Sequence, residues 1–391
     1  MRRVSYRARY VLMGMELEPL EGAFVDVGED GVVTGVGRAP GSVNTVDLGN
    51  TVLMPQLVNA HVHVLDYPLL GLYGKYYIDD LVGAPYGIKY HFLRRAREED
   101  LTTGLRSVFR RVRRYGVGCL LSIIEYGFRY AELVVKEAQS EGLCITPFAE
   151  PSTFRVYVHE GEEDDVDEGF EREVRDFVER GFNVSLISPL NYTKAELKLA
   201  AKLTSAHGLW VMTHVSETED TYADNDMGRA GETLNPANTV MVHLTQLGDE
   251  DILKLAPSPI VTCPRSNVEL VGKLPRISTM VKRGFRLMVG TDNVALVEPN
   301  PWDEIKTLRE LLRYGGYAID DRELLKMVTT NPARWGFGYR IDYGEVMKAV
   351  VVGVGYDSVN TDNLIHYLVS RVTPVDVVGL VDGSSLIKFN P

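Results

Sequence analysis

The sequence predicts an α/β protein built on a TIM-type (β/α)8 barrel, with a small composite β-sandwich made from both chain ends. Three observations carry that prediction. Through the middle of the chain, short β-type apolar runs alternate with helical patterns of roughly 10 to 20 residues, the mark of βα units around a parallel sheet. Eight such runs stand in succession. At both ends the texture changes to short alternating segments separated by turn signals, as in antiparallel strands.

Taken in order, residues 1–54 alternate apolar and polar side chains between turns such as Glu29-Asp30-Gly31 and Ala39-Pro40-Gly41. The barrel runs are expected at 52–62, 117–125, 143–150, 183–188, 209–214, 239–243, 259–263 and 286–292. From 343 to 391 the β texture returns, with Val350, Val351 and Val352, then Val375, Val377 and Val378, and a turn at Asp382-Gly383. The expected division is therefore a sandwich of 1–54 with 343–391, and a barrel of 55–342. In such a barrel the active site gathers at the C-terminal ends of the strands.

Composition fits this frame. Of 391 residues, 45% are hydrophobic and 25% charged, as in ordinary soluble globular proteins, which excludes disordered, collagen-like and coiled-coil classes. A formal charge of -12 repels phosphate backbones and anionic surfaces, so neither nucleic acid nor membrane is an expected partner. The three cysteines, Cys119, Cys144 and Cys263, show no CxxC spacing, and a reducing cytoplasm suits them best. The apolar stretch 10–15 is too short for a signal segment, and no run nears the roughly 18 apolar residues of a membrane helix. The arginine-rich block 94–114 reads as the solvated face of an outer helix, and the acidic block 160–171 beside His159 as a solvated loop.

Chemistry concentrates at the strand ends. In Asn59-Ala60-His61-Val62-His63, residues i and i+2 of an extended chain share a face, so both imidazoles can reach one ion. His214 ends the fifth run, His243 the sixth and Asp292 the eighth. Imidazoles with a carboxylate and no cysteine suit one divalent metal, Zn2+ or Fe2+, with a position left for water. Glu217, three residues past His214, reaches the same cavity and is suited to carry a proton.

These residues resemble the amidohydrolase superfamily, in its mononuclear deaminase and chlorohydrolase branch, which includes guanine and S-adenosylhomocysteine deaminases. The resemblance rests on Met54-Pro55-Gln56-Leu57-Val58-Asn59-Ala60-His61-Val62-His63, on His214-Val215-Ser216-Glu217, on Cys263-Pro264-Arg265-Ser266-Asn267, on Gly290-Thr291-Asp292 and on Thr330-Asn331-Pro332-Ala333-Arg334. It implies His61, His63, His214 and Asp292 as metal ligands, with Asp292 also accepting a proton. Glu217 becomes the proton shuttle, and His243 the group that orients water or polarises substrate. No lysine ends the fourth run, Val184-Ser185-Leu186-Ile187-Ser188-Pro189, so a single metal is expected. Three departures stand out: Gln56 in place of a glycine, no Ala-Asp-Leu motif within 344–354, and a tyrosine-rich loop over 67–90.

The activity implied is hydrolysis of a non-peptide C–N bond, with hydrolytic deamination of a heteroaromatic ring such as a purine or adenosine derivative as the leading form. The same apparatus serves other leaving groups, namely chloride, an alkylamine or the nitrogen of a cyclic amide, and a non-catalytic scaffold is the reading from another class. Candidate substrate contacts are Tyr73, Tyr76 and Tyr77 for ring stacking, Arg155 after the third strand, Ser266 and Asn267 after the seventh, and Trp302 after the eighth. A small heterocycle is the expected partner, and the family habit implies a homo-oligomer. Only three glutamines, Gln56, Gln139 and Gln246, point toward a thermophilic source.

Overall fold

The computed structural model describes residues 3–72, 78–156, 158–159 and 161–389. Within it, every expected barrel run carries a strand: Leu57–His63, Val117–Ile124, Cys144–Ala149, Asn183–Leu186, Val211–Val215, Thr239–His243, Ile260–Thr262, and an eighth broken into Met288–Val289 and Asp292–Asn293. All lie in one sheet in sequence order, and the two halves of the eighth strand stand at opposite ends of that order. Met288–Val289 pairs in parallel with the seventh strand, while Asp292–Asn293 pairs in parallel with the first. The Gly290 N–H bonds the Thr262 carbonyl and the Thr291 N–H bonds that of His61, both at 3.0 Å, so the eighth strand closes the (β/α)8 barrel.

The helices follow from sequence in the usual way. Glu168–Glu179 presents Phe170, Val174, Phe177 and Val178 on one buried face, and Asp167 caps it by accepting from the Gly169 and Phe170 N–H groups. Lys194–Ala206 opens on a reciprocal capping box between Thr193 and Glu196. Their apolar faces pack with Val184, Leu186, Tyr192 and Val211 in one core cluster. The arginine block is the end of the helix Glu98–Arg114, with Glu98, Glu99 and Asp100 in its first turn and Arg111, Arg113 and Arg114 in its last, each sign complementing the helix dipole. In the acidic block, Glu163 accepts two 2.8 Å hydrogen bonds from Arg229.

Two further sheets make the sandwich. A four-stranded sheet is ordered Val33–Gly37, Phe24–Val27, Val4–Arg7, Thr45–Asp47. A six-stranded sheet is ordered Ser385–Lys388, Val377–Asp382, Lys348–Gly353, Thr51–Pro55, Tyr10–Met13, Glu18–Glu21, so both chain ends share it. Tyr6, Val11, Val25, Leu53, Val351 and Val381 belong to the core cluster these strands enclose. The segment lacking the Ala-Asp-Leu motif still forms its strand, Lys348–Gly353, because its four central residues Ala349, Val350, Val351 and Val352 are all buried. Gln56, in the glycine's place, donates from Nε2 to the carbonyls of Ala349 at 3.4 Å and Val381 at 3.2 Å, and fills the space that Gly118 leaves open.

The chain divides into two compact units, one of Met1–Asn59, Arg110–Cys119 and Asn300–Pro391, the other of Ala60–Phe109 and Leu120–Pro299. Among the described residues, no helix is long and apolar enough to cross a membrane.

Candidate active site

The first strand is buried along its whole length and sets His61 and His63 on one face at its C-terminal end. The fifth and sixth strands bring His214 and His243, and the last half-strand brings Asp292. The rings converge: centroids lie 4.9 Å apart for His61 and His63, and 5.2 Å for His61 and His214 as for His214 and His243. Two overlapping groups have ligand atoms within 4.8 Å of one another, His61 with His63 and His214, and His61 with His243 and Asp292.

Hydrogen bonds at the outer nitrogens fix which atoms face inward. The Nδ1–H of His63 donates to Glu125 Oε1 at 2.6 Å, that of His214 to the Ile187 carbonyl at 2.8 Å, and that of His243 to Asn267 Oδ1 at 2.7 Å. His61 Nδ1 meets Met212 Sδ at 3.3 Å. Ser266 donates to Asp292 Oδ2 at 2.5 Å, which leaves Oδ1 at 3.4 Å from Nε2 of both His61 and His63. Among the described residues, His61 Nε2 itself is buried without a hydrogen-bond partner.

The electrostatics agree with the geometry. Burial first, then the neighbouring His63 and His243, push the His61 imidazole down to about 4 against the pull of Asp292. Burial and three neighbouring histidines hold His214 well below its ordinary value. Burial opposes ionisation of Asp292, yet the His61 ring at 3.4 Å and the charge of His243 and His63 hold it well below the carboxylate range. Against burial and Lys89, which lower it, Glu125 and Asp292 raise His63 above its ordinary value. The neutral nitrogens of His61 and His214, an ionised carboxylate and a buried Nε2 without a partner among the described residues fit a divalent cation.

Backbone strain gathers at the same rim. His243, Leu244, Asp292 and Ser216 all have positive φ, at 76°, 55°, 64° and 48°. Ser216 is clamped by Asp226, which accepts its N–H at 2.5 Å and its hydroxyl at 2.7 Å, and this turns the chain that carries Glu217. Glu217 Oε1 then lies 3.7 Å from His243 Nε2.

His63, His214, Glu217, His243 and Asp292 line one cavity of about 250 Å3. Sequence reasoning missed a second group on its wall. Lys89, Tyr90 and Glu150 face the same space, and Glu125 joins Lys89 to His63, accepting from both at 2.6 Å. A signal existed: Glu125 and Glu150 are the last residues of the second and third expected runs, the position that singled out the histidines.

The expected substrate contacts fare differently. Tyr73, Tyr76 and Tyr77 lie outside the described residues. Arg155 does not line the cavity, because its guanidinium is committed to Glu196, with Nη1 at 2.5 Å from both carboxylate oxygens. Ser266 and Asn267 are buried partners of Asp292 and His243 rather than cavity-lining groups. Trp302 is 1% exposed, absent from the lining, and spends its indole N–H on the Tyr115 carbonyl at 2.8 Å.

Imidazoles and a carboxylate converging at the C-terminal rim of a (β/α)8 barrel, beside a cavity glutamate, define the site of a metal-dependent hydrolase. The chain belongs to the amidohydrolase family, whose sequence pattern matches residues 52–343, and is a hydrolase acting on C–N bonds other than peptide bonds. Members of that family bind a divalent metal. A protein of Methanothermobacter thermautotrophicus, named no more closely than as an aminohydrolase, is 25% identical over 97% of both chains. A 5'-deoxyadenosine deaminase of Methanosarcina mazei is 25% identical over 78% of this chain and 73% of its own. The crystal structure of a zinc-bound adenosine deaminase from Xanthomonas campestris matches with a TM-score of 0.79 at 19% identity, covering 98% of this chain and 92% of that one, a likeness of fold.

Proposed function

We propose that this protein is a mononuclear zinc enzyme that hydrolytically deaminates a small heteroaromatic ring. The observation that carries the reading is the fully buried Nε2 of His61, without a hydrogen-bond partner among the described residues, beside His63, His214 and His243, whose outer nitrogens are already spoken for and which line the cavity that holds Glu217. In this reading His61, His63, His214 and Asp292 hold the ion, in the barrel of 55–342, and 1–54 with 343–391 make a separate sandwich. A sulfur-free donor set suits zinc, with Fe2+ as the competing occupant. The names of the deaminase relatives support the substrate class. Three cysteines without CxxC spacing support a cytoplasmic setting, and assembly as a homo-oligomer follows the family resemblance.

A bound divalent cation supplies hydroxide near neutral pH. The chain's own residues do the rest. Glu217 moves one proton of the attacking water to the ring nitrogen beside the reacting carbon, and the second, from the hydroxyl of the adduct, passes by way of Asp292 to the departing amine. The water oxygen bonds to that carbon, the exocyclic C–N bond breaks, and ammonia leaves. His243, its Nδ1–H held by Asn267 and its Nε2 3.7 Å from Glu217, orients the water or polarises the substrate.

The test is metal content per chain beside that of His214→Ala, followed by an ammonia-release screen of aminated heterocycles. One equivalent of zinc, lost in the variant, with ammonia released, is the expected result. Two equivalents would refute the mononuclear site, and none after reconstitution would leave a non-catalytic scaffold. Release of chloride or an alkylamine instead of ammonia would keep the apparatus and replace the leaving group.

A further inference from the structure

Two charged groups on the cavity wall have no part in that mechanism. Lys89 is 2% exposed, and its ammonium carries three N–H donors, of which one is used among the described residues, to Glu125 Oε1 at 2.6 Å. Burial opposes its charge, but Glu125 and Asp66 more than offset this and raise it above the ordinary lysine value. Glu150 is likewise 2% exposed. Its Oε1 accepts from the Tyr90 hydroxyl at 3.1 Å, and no donor among the described residues reaches Oε2. Lys89 and Tyr90 are consecutive, so one residue sets a donor on the wall while the next holds an acceptor beside it. Val82, Ala84 and Ile187 supply apolar wall around them.

Resting on the deaminase reading above, we infer that Lys89 and Glu150 determine specificity by recognising a ring with an adjacent carbonyl and N–H. The substrate is then an aminated oxo-heterocycle taken as the free base, not an adenine-type ring. Lys89 donates to the ring carbonyl, and Glu150 accepts from the ring N–H next to it. An adenine ring has no carbonyl and offers a lone pair where Glu150 needs a proton, so the wall repels it as well as failing to bind it. Buried polar groups left unpaired are what make such discrimination steep. The cavity, about 250 Å3, lies below the roughly 300 to 1,000 Å3 of pockets for larger ligands, and suits a ring without its sugar.

The experiment uses the full-length, metal-loaded protein at pH 8, with ammonia release from guanine, cytosine and pterin set against adenine, adenosine and 5'-deoxyadenosine. The expected result is a kcat/KM at least about 100-fold higher for the best oxo ring than for the best oxo-free one. Methylating the ring N–H of that substrate should cost the wild-type protein at least about 30-fold, mostly in KM, and this arm needs no variant to fold. Lys89→Met and Glu150→Leu, with metal content measured beside activity, should each erode the preference by at least about 10-fold. A preference for oxo-free rings, or indifference to N-methylation, would overturn this inference while leaving a deaminase. Silence on both panels would overturn the deaminase reading, and this inference with it.

Discussion

Glu150 shows how one residue answers to both burial and binding. Burial first, then the Glu125 carboxylate, push its carboxyl up to about 7, against Lys89, His63 and Tyr90, which favour ionisation. A raised carboxyl means the folded chain holds a proton that the unfolded chain has released. The associated stability is therefore complete below about 4.5 and is lost as pH rises through about 7. In the metal-free protein, Glu150→Gln, which is neutral at all pH, should match the wild type near pH 5 and gain on it by up to about 3 kcal/mol at pH 8. Denaturant midpoints at the two pH values measure this, and a difference that does not change with pH would contradict it. At this scale the sequence was legible where residue type is rare: histidines at strand ends stand out, and His61, His63, His214 and His243 do converge. Carboxylates are common, and only burial separates Glu125 and Glu150 from surface groups. Nor does a motif state direction. Ser266 and Asn267 sit where the motif places them, but turn to Asp292 and His243, and Arg155 is taken by Glu196, a partner 41 residues away.

Among the elements, the eighth strand is the most demanding. As sequence, 286–292 reads as one run, because a Gly-Thr pair inside an apolar segment does not announce a break. The break has a steric cause. A Cβ on Gly290 would stand 2.7 Å from Cβ, N and O of His61, closer than real contacts allow, so only glycine lets the eighth strand approach the first. That approach also sets Asp292 against His61 and His63. Gly290→Ala should therefore force the two strands apart, with a destabilisation of about 1 to 3 kcal/mol and metal affinity down at least about 10-fold. Gly231→Ala is the control, since Gly231 lies in the helix Asp226–Thr233 with nothing within 4 Å of an added Cβ. Competition with a chromophoric chelator reads the affinity, and equal values for both variants would show that the close approach does not position the ligands.

At the scale of the whole molecule, the alternation of βα units was legible and the partners of the end strands were not. Nothing local in Tyr10–Met13 or Lys348–Gly353 reveals that Thr51–Pro55 lies between them, parallel to one and antiparallel to the other. The proposed metal site is long-range in the same sense, with candidate donors on the first, fifth and eighth strands, and an ion held there would join segments more than 200 residues apart. This couples stability to both metal and protons. His61 is depressed to about 4 and His214 falls well below its ordinary value, so the folded chain binds fewer protons there than the unfolded chain. Their stability is present above about 6.5 and is lost as pH falls, for His61 through about 4, at roughly 1.4 kcal/mol per pH unit per group. That contribution should thus fall between pH 7 and pH 5 in the metal-free protein, against the opposite trend of Glu150 and of Asp66, whose carboxyl burial pushes up to about 6. Added zinc should restore it, since the ion binds the same neutral nitrogens and contributes about 2.7 kcal/mol at a hundredfold excess over its Kd. Thermal midpoints with chelator and with zinc at pH 7.5 and pH 5 give four values. If zinc raises neither midpoint, the convergent histidines do not bind it in the folded chain. If it raises both while His214→Ala responds at neither pH, the ion that the hydrolase reading requires also holds the barrel together.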